Sequence, residues 1–107
     1  MTKPEPIADR TPDAAEIRSA LTRIVAAPSF SKSPQLAHFL TFIVEESLAG
    51  RGDRIKAYTI ATVALGRGEN FDPQIDPIVR VEAGRLRRAL VQYYAADGRH
   101  DRVVIAL

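Results

Sequence analysis

Four stretches of the chain repeat their apolar positions at the helical interval, and prolines or glycines separate them. Ile17, Leu21, Ile24 and Val25 fall at i, i+4, i+7 and i+8 and predict an amphipathic helix. Asp13 followed by Glu16 fits a capping box at its start, and Pro28 marks its end. Ser33-Pro34 opens a second helix, an N-cap hydroxyl followed by a proline at the first turn, where the missing amide has no cost. Leu36, Phe39, Leu40, Ile43, Val44 and Leu48 form its buried face, and Gly50 supplies a left-handed stop. A turn at 51–54 leads to a short helix over about 55–65, with Ile60, Val63 and Ala64 as inward positions and Gly66 and Gly68 bracketing its exit. The loop 71–77 carries two Asp-Pro steps; Asp76 is read as a cap, Pro77 as the first helical position, and the longest helix runs from 76 to about 96. Gly98 terminates it, and the β-branched run at 102–107 has the character of a short C-terminal strand. Residues 1–12, with Pro4, Pro6 and Pro12 among polar neighbours, read as a disordered tail ahead of one mainly α domain at 13–107.

Composition narrows the class of protein. At 107 residues, 46% hydrophobic and 26% charged, the chain suits one small globular domain with an ordinary core. The absence of cysteine rules out disulfides and thiolate metal sites. No apolar run reaches the roughly 18–20 residues of a membrane helix, and the first residues show no apolar signal region. The expectation is a soluble cytoplasmic domain without a membrane partner. Fifteen basic against thirteen acidic residues leave a net charge of +2, too mild by itself to identify a nucleic-acid binder. The placement of the charges must therefore decide.

On a helical wheel of residues 77–95, Val79, Ala83, Leu86, Leu90 and Tyr93 share the arc that packs inward. Arg80, Val81, Gly84, Arg85, Arg88 and Gln92 occupy the opposite arc, with Arg87 at its border and Glu82 toward the apolar flank. The exposed arc is thus rich in arginine and free of lysine. A guanidinium fork can hold two phosphate oxygens, or O6 and N7 of guanine, at once. Val81 offers an apolar surface to a thymine methyl, and Gly84 would let a backbone approach closely. The contrasting reading is a solvated helix surface whose arginines pair with Glu82, Asp76 or Asp97.

The spacing Val79-x-Val81-x-x-x-Arg85-Leu86-Arg87-Arg88-Ala89-Leu90 resembles the recognition-helix segment of the OmpR/PhoB-type winged-helix effector domains. The resemblance spans roughly 34–107. Residues 71–94 are similar, more closely, to N-terminal domains of bacterial proteins that carry tetratricopeptide or adenylate-cyclase-like regions, where a run like F-D-P-x-x-D-P-I-V-R-V-E-A-x-R-L-R-R-x-L-x-x-Y-Y recurs. The resemblance implies a winged helix-turn-helix-like domain, truncated in its wing, that acts as a DNA-binding transcriptional regulator. Arg85 and Arg87 match basic recognition-helix positions, Arg88 a position that is usually basic, and Leu86 and Leu90 buried ones. Arg80 stands where the family is acidic, and Glu82 and Gly84 stand at positions that often contact DNA. The expected interface is Arg80, Val81, Gly84, Arg85, Arg87 and Arg88, with Lys56 and Arg54 clamping the phosphate backbone. A different class of function, a protein-interaction or dimerisation module without DNA, is the alternative, and a second copy of the chain is then a partner.

Other chemistry finds little footing. His38 and His100 lack partners at metal-ligand or triad spacing, and no cofactor is expected. Adjacent carboxylates such as Glu45 and Glu46 point about 100° apart on a helix, which suits surface charge better than acid–base work. Gly66-Arg67-Gly68 lacks the Lys-Ser/Thr of a phosphate loop and reads as a turn. Ser29, Ser31 and Ser33 have no activating base nearby in sequence, so no enzymatic activity is expected. RNA recognition would call for aromatic residues interleaved with the basic ones, and this pattern is missing.

Overall fold

Local chemistry accounts for most helix ends in the computed structural model, which describes residues 12–106, with the backbone alone for Arg54 and Tyr58. The proposed tail, Pro12 excepted, and Leu107 lie outside the described residues. Helix α1 spans Ala14–Ala26. The Asp13 carboxylate accepts the Glu16 amide at 2.8 Å, and the Glu16 carboxylate accepts the Asp13 amide at 3.4 Å, which closes the capping box. Ala27 is extended, with ψ 156°, as the residue before a proline prefers to be. Pro28 therefore ends α1 and at the same time opens α2, a single turn at Pro28–Ser31 that the periodicity does not announce. Its purpose is visible in Phe30, which the turn buries to 1% exposure.

Helix α3 spans Pro34–Leu48 and starts with the Ser33 hydroxyl accepting the Leu36 amide at 3.4 Å. Gly50 closes it in the left-handed region, at φ 76°. There the Arg51 amide donates to the Glu46 carbonyl at 2.8 Å and the Gly50 amide to the Ser47 carbonyl at 3.1 Å, the two bonds of a Schellman ending. A 3-10 turn at Gly52–Arg54 precedes α4, Ala57–Thr59, which continues as a wider π turn over Ile60–Ala64. This π turn corrects the expected inward face. Ile60, Ala61 and Leu65 are buried and Ala64 half-buried, whereas Val63 is 65% exposed. The amide of Leu65 reaches back five residues to the carbonyl of Ile60 at 3.1 Å, so an even 100° step per residue no longer tracks the faces. Helix α5 spans Ile78–Ala95 and packs against α2, α3 and the π turn, while α1 packs against α2 and α3. Ile24, Phe30, Phe39, Leu40 and Leu86, the largest fully buried side chains, come from four helices and meet in one core.

The expected C-terminal strand is not formed. Residues 102–106 are irregular, and no strand exists among the described residues to build a wing. The physical reason is that side chains take up the backbone groups a partner strand would need. The Tyr94 hydroxyl donates to the Val103 carbonyl at 3.2 Å and accepts the Ile105 amide at 2.8 Å. Asp101 accepts the Val103 amide at 3.2 Å. Val103 is buried and Ile105 packs against the core, so the segment is held by its side chains as well.

Asp101 also fastens this segment to α1. The Arg23 guanidinium donates to both of its carboxylate oxygens at 2.9–3.2 Å, and the Tyr93 hydroxyl donates at 3.3 Å. Burial alone would push the Asp101 carboxyl up, but the hydrogen bonds from Arg23 and the Val103 amide outweigh it and hold the group below its ordinary value. Burial, then the neighbouring Asp101 charge, pushes the Tyr93 phenol up. A carboxyl lowered on folding stabilises the protein above its unfolded value and loses that contribution as pH falls through the folded one. Asp101→Asn should therefore lower stability at pH 7 by about 1–3 kcal/mol, the range for a hydrogen bond to a charged group. As pH falls below about 4, where the unfolded chain's carboxyl takes up its proton before the folded one does, the difference should shrink. Denaturant titrations of both proteins at pH 7 and pH 3 check this; a gap that stays constant with pH would contradict it.

Candidate nucleic-acid interface

Helix α5 begins at Ile78, one residue later than its spacing suggests. Asp76 accepts the Ile78 amide at 3.0 Å, so the carboxylate performs the capping task while Pro77 precedes the first helical residue. The same side chain holds Arg67 at 3.1 Å. At the other end the Gly98 amide donates to the Tyr93 carbonyl at 2.7 Å and closes the helix. With about 100° per residue these ends leave two clean faces. Glu82, Leu86, Ala89, Leu90 and Tyr93 are buried, and Val79 and Ala83 are half-buried against the core. Arg80, Val81, Arg85, Arg87, Arg88 and Gln92 are exposed, and Gly84 lies half-exposed between them. The outer arc spans roughly 160° and faces directly away from the core.

The arginines of this arc differ in what holds them. Arg80, Arg87 and Arg88 have no ion-pair partner among the described residues. Arg85 is engaged: its Nη1 donates to Glu82 Oε1 at 2.8 Å. Glu82 is placed deeper than an apolar-flank position implies, its residue only 3% exposed. It therefore does not stand where it could touch a ligand on the outer arc. Lys56 is exposed just before α4, and no contact among the described residues joins it to the arginines; the Arg54 side chain lies outside the described residues. Among the described side chains, those of the candidate interface that stand together are thus carried by α5.

Gly84 has no packing reason. A Cβ there would meet only Arg88 Nη1, at 3.5 Å, an ordinary contact, and the backbone is not left-handed. Glycine inside a helix costs about 1 kcal/mol relative to alanine. Gly84→Ala should consequently raise the unfolding free energy by about 0.5–1 kcal/mol, measured by thermal or urea unfolding. If a partner's backbone lies against this position, the same variant should bind that partner more weakly. A stabilised protein with unchanged binding would show that the gap at Gly84 is not used.

Val91, 69% exposed, belongs to the same arc and was not singled out from the sequence, although its spacing of seven from Gly84 is a helical repeat. It borders a groove of about 660 Å³ between the last turns of α5 and the C-terminal segment, lined by Tyr94, Ala95, Val104 and Ile105, with Arg87 and Arg99. The positions set aside in the sequence are otherwise accounted for. Glu45 holds Arg18 and Glu46 holds Arg51, each through two hydrogen bonds at 2.8–3.0 Å. His38 and His100 are exposed, and Gly66, at φ 70°, forms the turn expected of it. Among the described residues no three metal-ligating side chains cluster, and no helix is long and apolar enough to cross a membrane.

No protein-family model, curated protein or solved structure matches the chain.

Proposed function

We propose that the protein binds duplex DNA by laying α5 in the major groove, as the winged-helix regulators do with the helix it resembles. The observation that carries this reading is the set of three exposed arginines, Arg80, Arg87 and Arg88, on one face of one helix with no carboxylate among the described residues to neutralise them. An α-helix fits a groove about 12 Å wide, and Arg80 and Arg88, eight residues apart, are separated by about 12 Å along the axis. Guanidinium groups at that separation can contact the backbone on both sides of the groove or read guanine edges within it. The exposed Val81 supplies apolar contact for a thymine methyl. The role that follows is sequence-dependent regulation of transcription in the cytoplasm.

Fluorescence anisotropy of a labelled duplex, titrated at several salt concentrations, tests the reading. Three phosphate contacts predict a slope of log K against log salt near −2.7, and an arginine that reads a base instead contributes about 1–3 kcal/mol of discrimination. Absence of binding to any duplex at 50 mM salt would overturn it. Selection of bound sites from random DNA then decides whether recognition is sequence-specific.

One observation favours the second reading, a protein-interaction module. The groove beside Val91 and Val104, both about two-thirds exposed, presents apolar surface of the sort that docks another chain. Light scattering across a concentration series separates a dimer from a monomer, and a monomer at all concentrations counts against self-association.

A further inference from the structure

The four arginines of α5 are not equivalent, and Glu82 makes the difference. Its side chain is 4% exposed, Oε1 is bonded to Arg85 at 2.8 Å, and Oε2 is buried with no hydrogen-bond partner. Among the described residues, Arg85 is therefore the sole cation, and the sole hydrogen-bond donor to the side chain, that compensates a carboxylate inside the core face of the helix. Swinging Arg85 out to a phosphate would leave that carboxylate buried and uncompensated, and breaking a buried pair from one side is strongly unfavourable. The gain from one solvent-exposed phosphate contact is small by comparison. Arg80, Arg87 and Arg88 lack any such tie among the described residues.

We infer that Glu82 is a positioning residue that withholds Arg85 from nucleic acid, so that Arg80, Arg87 and Arg88 form the working phosphate-binding set. This rests on the DNA-binding reading and refines it: Glu82 sets how many phosphates the helix can engage and where its contact patch ends. Arg85 lies at one edge of the outer arc, about 140° around the helix from Arg80, so pairing its charge with Glu82 narrows the free cationic strip to the side that carries Arg80, Arg87 and Arg88.

The test compares wild type, R85A, R88A, E82Q and the double variant E82Q/R85A on one labelled duplex over a range of salt. R85A should keep the wild-type salt slope and stay within about twofold in affinity. R88A should lose about 0.9 from the slope, the value of one phosphate contact. E82Q, nearly isosteric, frees Arg85 and should steepen the slope by about 0.9, with affinity rising up to about eightfold at 0.1 M salt. Thermal unfolding supplies a readout independent of DNA: R85A should melt lower than wild type, and E82Q/R85A should recover part of the loss because no buried charge is then left alone. A slope lost in R85A as in R88A, an E82Q protein that binds no better than wild type, or an absence of recovery in the double variant overturns the inference. Failure of wild type to bind DNA at all is seen before any variant is compared, and it retires the DNA reading together with this refinement.

Discussion

Replacing Arg80 and Arg88 together by alanine is expected to reduce duplex affinity roughly 60-fold at 0.1 M salt and to flatten the salt slope by about 1.8. Each guanidinium that contacts a phosphate releases condensed counterions, and the two effects have the same origin. The fold should be untouched. Both side chains are exposed and unpaired among the described residues, and surface substitutions away from caps and buried partners usually stay within about 0.5 kcal/mol. Arg51→Ala is the control for the loss of one charge, compared with each single α5 variant. Arg51 sits off α5 and is bonded to Glu46 at 2.8 Å, which raises the affinity of its guanidinium for the proton and leaves it engaged. If Arg51→Ala weakens binding as much as one of the α5 arginines does, the attraction is a general property of a cationic surface. If the double variant binds as wild type does, α5 is not the DNA-contacting element.

The largest effect on stability is expected at Gly98. Its backbone runs so close beneath Tyr93 that a Cβ would overlap the ring carbons Cε2, Cδ2 and Cζ. The ring has little freedom to yield. It is 4% exposed, its hydroxyl is bonded to Asp101, and it meets the Tyr94 ring edge to face at a centroid separation of 4.9 Å. Gly98→Ala must therefore displace the ring or open the turn that closes α5, at a cost of about 2–3 kcal/mol. For a domain of this length that corresponds to a fall in Tm on the order of 10–20 °C. The variant should also loosen residues 101–106, because Tyr93 and Tyr94 both hold that segment; faster amide exchange at Val103 and Ile105 would report it. A Tm within about 3 °C of wild type would show that the contact is not tight in solution.

The glycine at 98 also shows where sequence reading stops. Its position after a long helix marks it as a terminator, and it is one, yet the reason no other residue fits is a ring five positions earlier. The same division runs through the rest of the molecule. Caps at Asp13 and Ser33, the Schellman ending at Gly50 and the two faces of α5 were readable, because they depend on groups three to five residues apart in the chain. The candidate interface was readable for the same reason: exposure of Arg80, Val81, Arg87 and Arg88 follows from the period of the helix that carries them. Other features depend on partners that periodicity does not encode. Pro28 serves two helices because Phe30 finds a core to fill. Val63 turns outward because a π turn changes the angular step. The C-terminal run, apolar and β-branched, has strand propensity, but Tyr94 and Asp101 satisfy its backbone where a neighbouring strand is lacking among the described residues.

By itself, then, the sequence determined the three longer helices, most of their ends and which side of α5 faces outward, since local hydrogen bonding and the helical period suffice for these. Only the tertiary structure decided that Arg23 and Asp101, 78 residues apart, clamp the last segment to α1, and that Glu82 is buried deeply enough to hold Arg85. Those outcomes depend on how far a carboxylate lies from water and from a distant guanidinium, distances that the packing of helices sets and that the order of residues along the chain does not.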